Sequence, residues 1–114
     1  MSHWNIAAAQ YGGQHQSIDD HVTHHLRFIA EAARQRCDLL VFPELSLTGS
    51  GMSTLPPPPG DAQLDPLLDA AHFYRITVIA GLPVERNGLR QKGLALFTPL
   101  ASALCAIRKA AVPA

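Results

Sequence analysis

The stretch Asp38–Ser50, DLLVFPELSLTGS, decides how this sequence is read. An apolar run, Leu39 to Pro43, ends in a carboxylate, Glu44, and the apolar character resumes at Leu45. Leu, Val and Phe in succession predict a strand, Asp38 to Leu45, built for burial. An acid at its end either surfaces to water or is held inside, where desolvating its charge is costly. Spacing alone leaves both readings open.

Outward from this stretch, the chain alternates apolar runs with amphipathic ones. Ile6 to Tyr11 reads as a short strand stopped by Gly12-Gly13. Ser17 is a helix N-cap, with Asp19 and Asp20 placed where the helix dipole favours negative charge. Val22, Leu26, Ile29, Ala30 and Ala33 then recur at helical spacing as far as Arg36. Beyond the central stretch, Ser53 to Asp61 is a proline-stiffened loop. Leu64, Leu67, Leu68 and Ala71 mark a second helix, and Thr77 to Val84 a third strand. Asn87-Gly88 predicts a hairpin turn. Leu94 to Thr98 and Ala103 to Arg108 complete the series as strands.

The order β-α-β-α-β-β-β argues for an α/β (α+β layered) fold. Its strands are continuously apolar, the pattern of strands covered on both faces. Two helices cover only one face of such a sheet. Residues 1–114 are therefore expected to form a single, incomplete domain whose second face is covered by further chain or by another copy. The latter makes the protein a homo-oligomer.

Bulk composition narrows the function. The 114 residues are 47% hydrophobic, enough for a packed core, with nine basic and nine acidic side chains balancing to zero. A neutral chain lacks the basic face of a nucleic-acid or membrane-surface binder. MSHWNIAAAQ has no basic n-region, and no run approaches a membrane span. Cys37 and Cys105 are read as reduced thiols of a cytoplasmic protein. GGQHQ lacks the spacing of a phosphate loop, so no cofactor is implied.

IAAAQY followed by AARQRCDLLVFPELSLTGS resembles the opening of the carbon–nitrogen hydrolase (nitrilase) superfamily. Members there share an acidic–apolar strand running into Pro-Glu, an apolar residue, a variable one, then Leu or Ile, Thr or Ser, and Gly. VIAGLPVERNGLRQKGLALFTPLASALCAIRKA, Val78 to Ala110, resembles the next segment, where a G-x-P strand and hairpin lead to a strand ending in a lysine. The likeness spans the chain but only the N-terminal half of the family's domain. It implies half of an α-β-β-α nitrilase-type sandwich.

The resemblance also implies chemistry, cleavage of a non-peptide C–N bond in an amide or nitrile by a Glu-Lys-Cys triad. Glu44 matches the general base and Lys109 the lysine that stabilises the oxyanion. The nucleophile belongs to a C-Y-D elbow further on, which this chain does not contain. A thiol at its ordinary pKa of about 8.5 needs a base to take its proton. A fixed ammonium then stabilises the charge that develops on the attacked group. By this reading the 114 residues alone are inactive, because the members of such a unit act together. The chain is either a fragment of an enzyme or a free-standing, non-catalytic protein acting by self-association or partner binding.

Other residues have a bland role beside a functional one. Cys37 precedes Glu44 by the spacing the family's nucleophile segment, C-Y-D-x-R-F-P-E, shows between its own Cys and Glu. Cys37 follows a helix and opens a strand, the reverse of the family elbow, and is set aside. Cys105 reads as a small core residue. His21 and His25, at i and i+4, could face one metal, but the helix needs a polar outer face, so both are assigned to solvent and no metal is expected. Arg108 and Lys92 stand outside the context that marks Lys109.

Overall fold

The computed structural model describes residues 4–10, 17–49, 55–99 and 106–108, the last of these by backbone alone. Its elements run β1 Ile6–Ala8, α1 Ile18–Arg34, β2 Leu39–Val41, α2 Asp61–Tyr74, β3 Thr77–Arg86, β4 Leu89–Phe97 and β5 Ala106–Arg108. The predicted order holds. One sheet carries the strands in sequence order, β1, β2 and β3 parallel, β4 and β5 antiparallel to their neighbours.

Local chemistry sets the boundaries. The Ser17 hydroxyl accepts from the Asp20 N–H at 3.1 Å, as an N-cap should. The helix stops at Arg34 rather than at Arg36, because Arg36 adopts a left-handed φ of 61°. There the Cys37 N–H reaches back to the Ala32 carbonyl at 3.0 Å and the Arg36 N–H to Ala33 at 2.9 Å. This is a Schellman ending built without the usual glycine, so no stop signal is visible among the residues there. Asp38 then ties β2 to β1: its carboxylate accepts the Asn5 N–H at 2.9 Å, and its own N–H donates to the Asn5 carbonyl at 2.7 Å.

The strand boundaries differ from expectation. β1 ends at Ala8; Tyr11 and Gly12-Gly13 lie outside the described residues. β3 and β4 are longer than read, to Arg86 and from Leu89, because the Asn87-Gly88 turn (φ 54° and 78°) closes a two-residue hairpin and the ladder runs right up to it. β5 pairs Ala106–Arg108 with Leu94–Leu96, and the rest of the expected Ala103–Arg108 strand, Cys105 included, lies outside the described residues.

Topology places both helices on one face. Each β-α-β crossover steps one strand in the same direction, and right-handed crossovers in one direction lie on one side. Residues of alternate parity on the sheet accordingly bury themselves against α1 and α2. Leu40, Val78, Ala80, Leu82, Ala95 and Phe97 pack with Val22, Ile29, Ala32, Leu64, Leu67 and Ala71 in one cluster. The opposite parity, Leu39, Val41, Ile79, Leu94 and Leu96, is only half-buried.

One expectation fails outright. His21 and His25 do not face solvent; they are 1% and 0% exposed. The buried stripe of α1 is His21, Val22, His25, Ile29 and Ala32, rotated from the one marked by Leu26, Ala30 and Ala33. Residue type misled here. Val22, His25, Ile29 and Ala32 are spaced i, i+3, i+7, i+10, a regular core seam with a histidine in the middle.

Candidate active site

The predicted strand Asp38–Leu45 is shorter than read, and this correction shapes the site. β2 ends at Val41, and residues 44–48 form a turn. Pro43 has no N–H to continue a ladder, and Leu45 takes a left-handed φ of 55°, unusual for a bulky side chain. The Phe42 N–H donates to the Ile79 carbonyl at 2.8 Å, the chain loops out, and the ladder resumes where the Leu47 N–H meets the Gly81 carbonyl at 2.9 Å. Within the loop the Ser46 N–H donates to Pro43 at 3.2 Å and the Gly49 N–H to Leu45 at 2.7 Å.

Gly81 makes this excursion possible. A Cβ there would lie 2.3 Å from the Leu45 nitrogen and 2.7 Å from the Pro43 carbonyl oxygen, so only a glycine lets the turn cross β3. Phe42, Leu45 and Leu47 are only 3%, 3% and 0% exposed and anchor the turn on both sides of Glu44. Glu44 itself surfaces. The question raised by an acid inside an apolar run has a geometric answer: the chain bends outward at Glu44 and returns to the core.

Glu44 meets Lys92. The Lys92 Nζ stands 3.1 Å from Glu44 Oε1, both side chains about half exposed. Lys92 lies opposite Pro83 in the β3–β4 register, on the parity of Gly81 and Ile79, so the pair sits on the sheet face away from the helices. The sequence contained a signal for this. A two-residue hairpin at Asn87-Gly88 fixes the register, and counting back from Arg86–Leu89 brings Lys92 to Pro83. Lys109 lies outside the described residues; its neighbour Arg108 has its backbone opposite Leu94.

Beneath the turn is a polar group that sequence reasoning missed. His25 Nε2 is 2.9 Å from Ser46 Oγ, which accepts the Gly81 N–H at 3.2 Å; His25 Nδ1 is 2.7 Å from the His21 carbonyl. The His25 ring stacks on Phe42, with centroids 4.0 Å apart. Burial pushes His25 down to about 4, so it is neutral at ordinary pH; burial and the neighbouring His24 also lower His21.

Cys37 is remote from this chemistry. It lies before β2 and Glu44 after it, so at ~3.3 Å per extended residue the two are separated by the length of the strand. A groove of about 600 Å³ runs between α1 and the edge strand, lined by Ala7, Ala9, Arg27, Glu31 and Cys37 among others, where alanines leave room. It includes neither Glu44 nor Lys92. Among the described residues, no three His, Cys, Asp or Glu side chains cluster to hold a metal, and no helix is long and apolar enough to cross a membrane.

Two helices thus back one face of a sheet whose first three strands are parallel, and Glu44 is lifted from a Pro-Glu turn over Gly81. The carbon–nitrogen hydrolase family profile matches residues 5–106, and the chain is a member of that family. Solved structures agree on the fold. An amidase from Nesterenkonia sp. superposes with a TM-score of 0.69 at 23% identity, over 86% of this chain and 39% of its own. A variant of the amidase from Nesterenkonia sp. AN1 in complex with butyramide gives 0.73 at 22% identity, over 99% and 45%. A glutamine-dependent NAD(+) synthetase from Cytophaga hutchinsonii gives 0.65 at 23% identity, over 86% and 17%. The chain thus spans less than half the length of these matches.

Proposed function

We propose that this chain supplies the general base, Glu44, of an amide-cleaving carbon–nitrogen hydrolase. The observation that carries the reading is the turn: buried Phe42, Leu45 and Leu47 on either side force one carboxylate out of the core and onto the face where Lys92 stands. In the proposed reaction Glu44 takes the proton of a thiol contributed by further chain, and the thiolate attacks the amide carbon. Lys109 stabilises the oxyanion. Ammonia leaves with the proton from Glu44, and the thioester is hydrolysed by water that Glu44 deprotonates. The likeness to amidases favours an amide over a nitrile. A related amidase variant, from Nesterenkonia sp. AN1, carries the acetamide moiety of fluoroacetamide on its active site cysteine, consistent with such a nucleophile.

The test is Glu44→Gln in the natural protein containing this segment, assayed with simple aliphatic amides. Activity should fall by at least ~10²-fold, the usual contribution of a general base; retention of activity rejects the assignment. Lys109→Met should behave likewise. The half-buried apolar residues Ile79, Leu94 and Leu96 favour one further reading, self-association through the open face. Sizing of residues 1–114 tests it, and a stable monomer would count against it.

A further inference from the structure

The polar group beneath the turn takes no part in the proposed reaction, yet its wiring is specific. The His21 carbonyl can only accept, so the 2.7 Å contact assigns the proton to His25 Nδ1. In the neutral ring Nε2 is then bare and accepts the Ser46 hydroxyl at 2.9 Å. Ser46 Oγ in turn accepts the Gly81 N–H. Donation runs one way, from Gly81 through Ser46 and His25 to His21. A protonated His25 would have to donate to Ser46 Oγ, and the hydroxyl hydrogen would need a new acceptor.

This chain of bonds joins three elements at one point, α1, the turn and β3. Ser46 stands two residues beyond Glu44, in the stretch where the backbone has left the sheet and Leu45 is left-handed. The Glu44 side chain is about half exposed, and its contact with Lys92 is a surface ion pair that holds little by itself. The position of the carboxylate is therefore set chiefly by the backbone of the turn. What fixes that backbone is the burial of Leu45 and Leu47 and the Ser46–His25 bond.

We infer that His25 and Ser46 are positioning residues for Glu44: helix α1, through the Ser46 hydroxyl, holds the turn from which the carboxylate projects. The inference rests on the reading of Glu44 as a base, but it makes a claim of its own about the turn. A base must lie within hydrogen-bond reach of its proton, and a displacement of about 1 Å can cost ~10²-fold in rate.

The experiment compares Ser46→Ala and His25→Gln with Glu44→Gln in the natural protein. Three readouts are taken: kcat and KM for a simple aliphatic amide, the pH dependence of kcat, and deuterium exchange of residues 43–49 against those of α2. For Ser46→Ala the expected result is a kcat lowered ~10- to 100-fold with KM within about threefold. The acidic limb of the kcat profile moves, and exchange speeds up at residues 43–49 but not in α2. His25→Gln should follow it, and it replaces Ser46→Ala if that variant does not fold. If Glu44→Gln is inactive while Ser46→Ala keeps wild-type kcat, the positioning role is overturned and the base assignment stands. If Glu44→Gln is fully active, the base assignment fails. Exchange then decides the claim about the turn: unchanged protection at residues 43–49 in both variants overturns it, and a local loss supports it.

Discussion

The two faces of this sheet have been given different tasks. On the helix side, Val78, Ala80, Leu82 and Phe97 are fully buried and form one cluster with α1 and α2. On the other side Ile79, Leu94 and Leu96 are only half-covered, and the same face carries Glu44 and Lys92 about half exposed. Cohesion comes from the first face, and the proposed chemistry belongs to the second. The Pro43–Leu47 segment connects them, rooted by buried leucines on one side and presenting a carboxylate on the other.

Breaking the first face should produce the largest effect. Phe97→Ala is expected to cost about 3–5 kcal/mol in the denaturant midpoint, the range for emptying an aromatic core position. Leu96→Ala, one residue away on the opposite parity, should cost less than ~1.5 kcal/mol in residues 1–114. Equal costs in the natural protein would show that further chain covers the second face there, which sharpens the contrast.

Acid tests the histidine buried in the first face. His25 titrates near 6.5 when unfolded and at about 4 when folded. Between these values the unfolded chain binds a proton that the folded chain refuses, so stability falls as pH drops from 6.5 towards 4 and levels off below. A shift of this size corresponds to about 3 kcal/mol. Urea midpoints across that pH window should slope accordingly and flatten in His25→Gln; an unchanged slope in the variant would assign the acid sensitivity to other groups.

The junction between the faces is tested by Gly81→Ala. A methyl 2.3 Å from the Leu45 nitrogen must displace backbone rather than a flexible side chain, and overpacking of this kind costs ~1–3 kcal/mol or more. The turn should move before the core does, visible as changed Glu44 and Leu45 amide shifts with α2 unaltered. Smallest of all is Lys92→Ala, which removes a surface ion pair worth at most ~1 kcal/mol and should lose even that in high salt. A larger loss would mean that the pair is buried in the natural protein.

Much of the fold is legible in the sequence. Ser17 announced its helix, Asn87-Gly88 its hairpin, and the apolar runs their strands, because each rests on chemistry within a few residues. The register of that hairpin also contains the pairing of Lys92 with Pro83, although no motif marks Lys92. The two histidines were misread for the opposite reason. Nothing local distinguishes a histidine on a wet face from one in a core seam; that depends on whether a hydroxyl 21 residues away is there to receive it.

By itself, then, the sequence determined the order of elements, the family and the carboxylate on which the proposed chemistry turns. Tertiary structure alone decided that Glu44 leaves the core, that it does so over Gly81, and that His25 and Ser46 lie beneath it. Local conformational preferences are written in neighbouring residues. The burial of a polar group is settled only when distant segments meet and either satisfy its hydrogen bonds or leave them unmade.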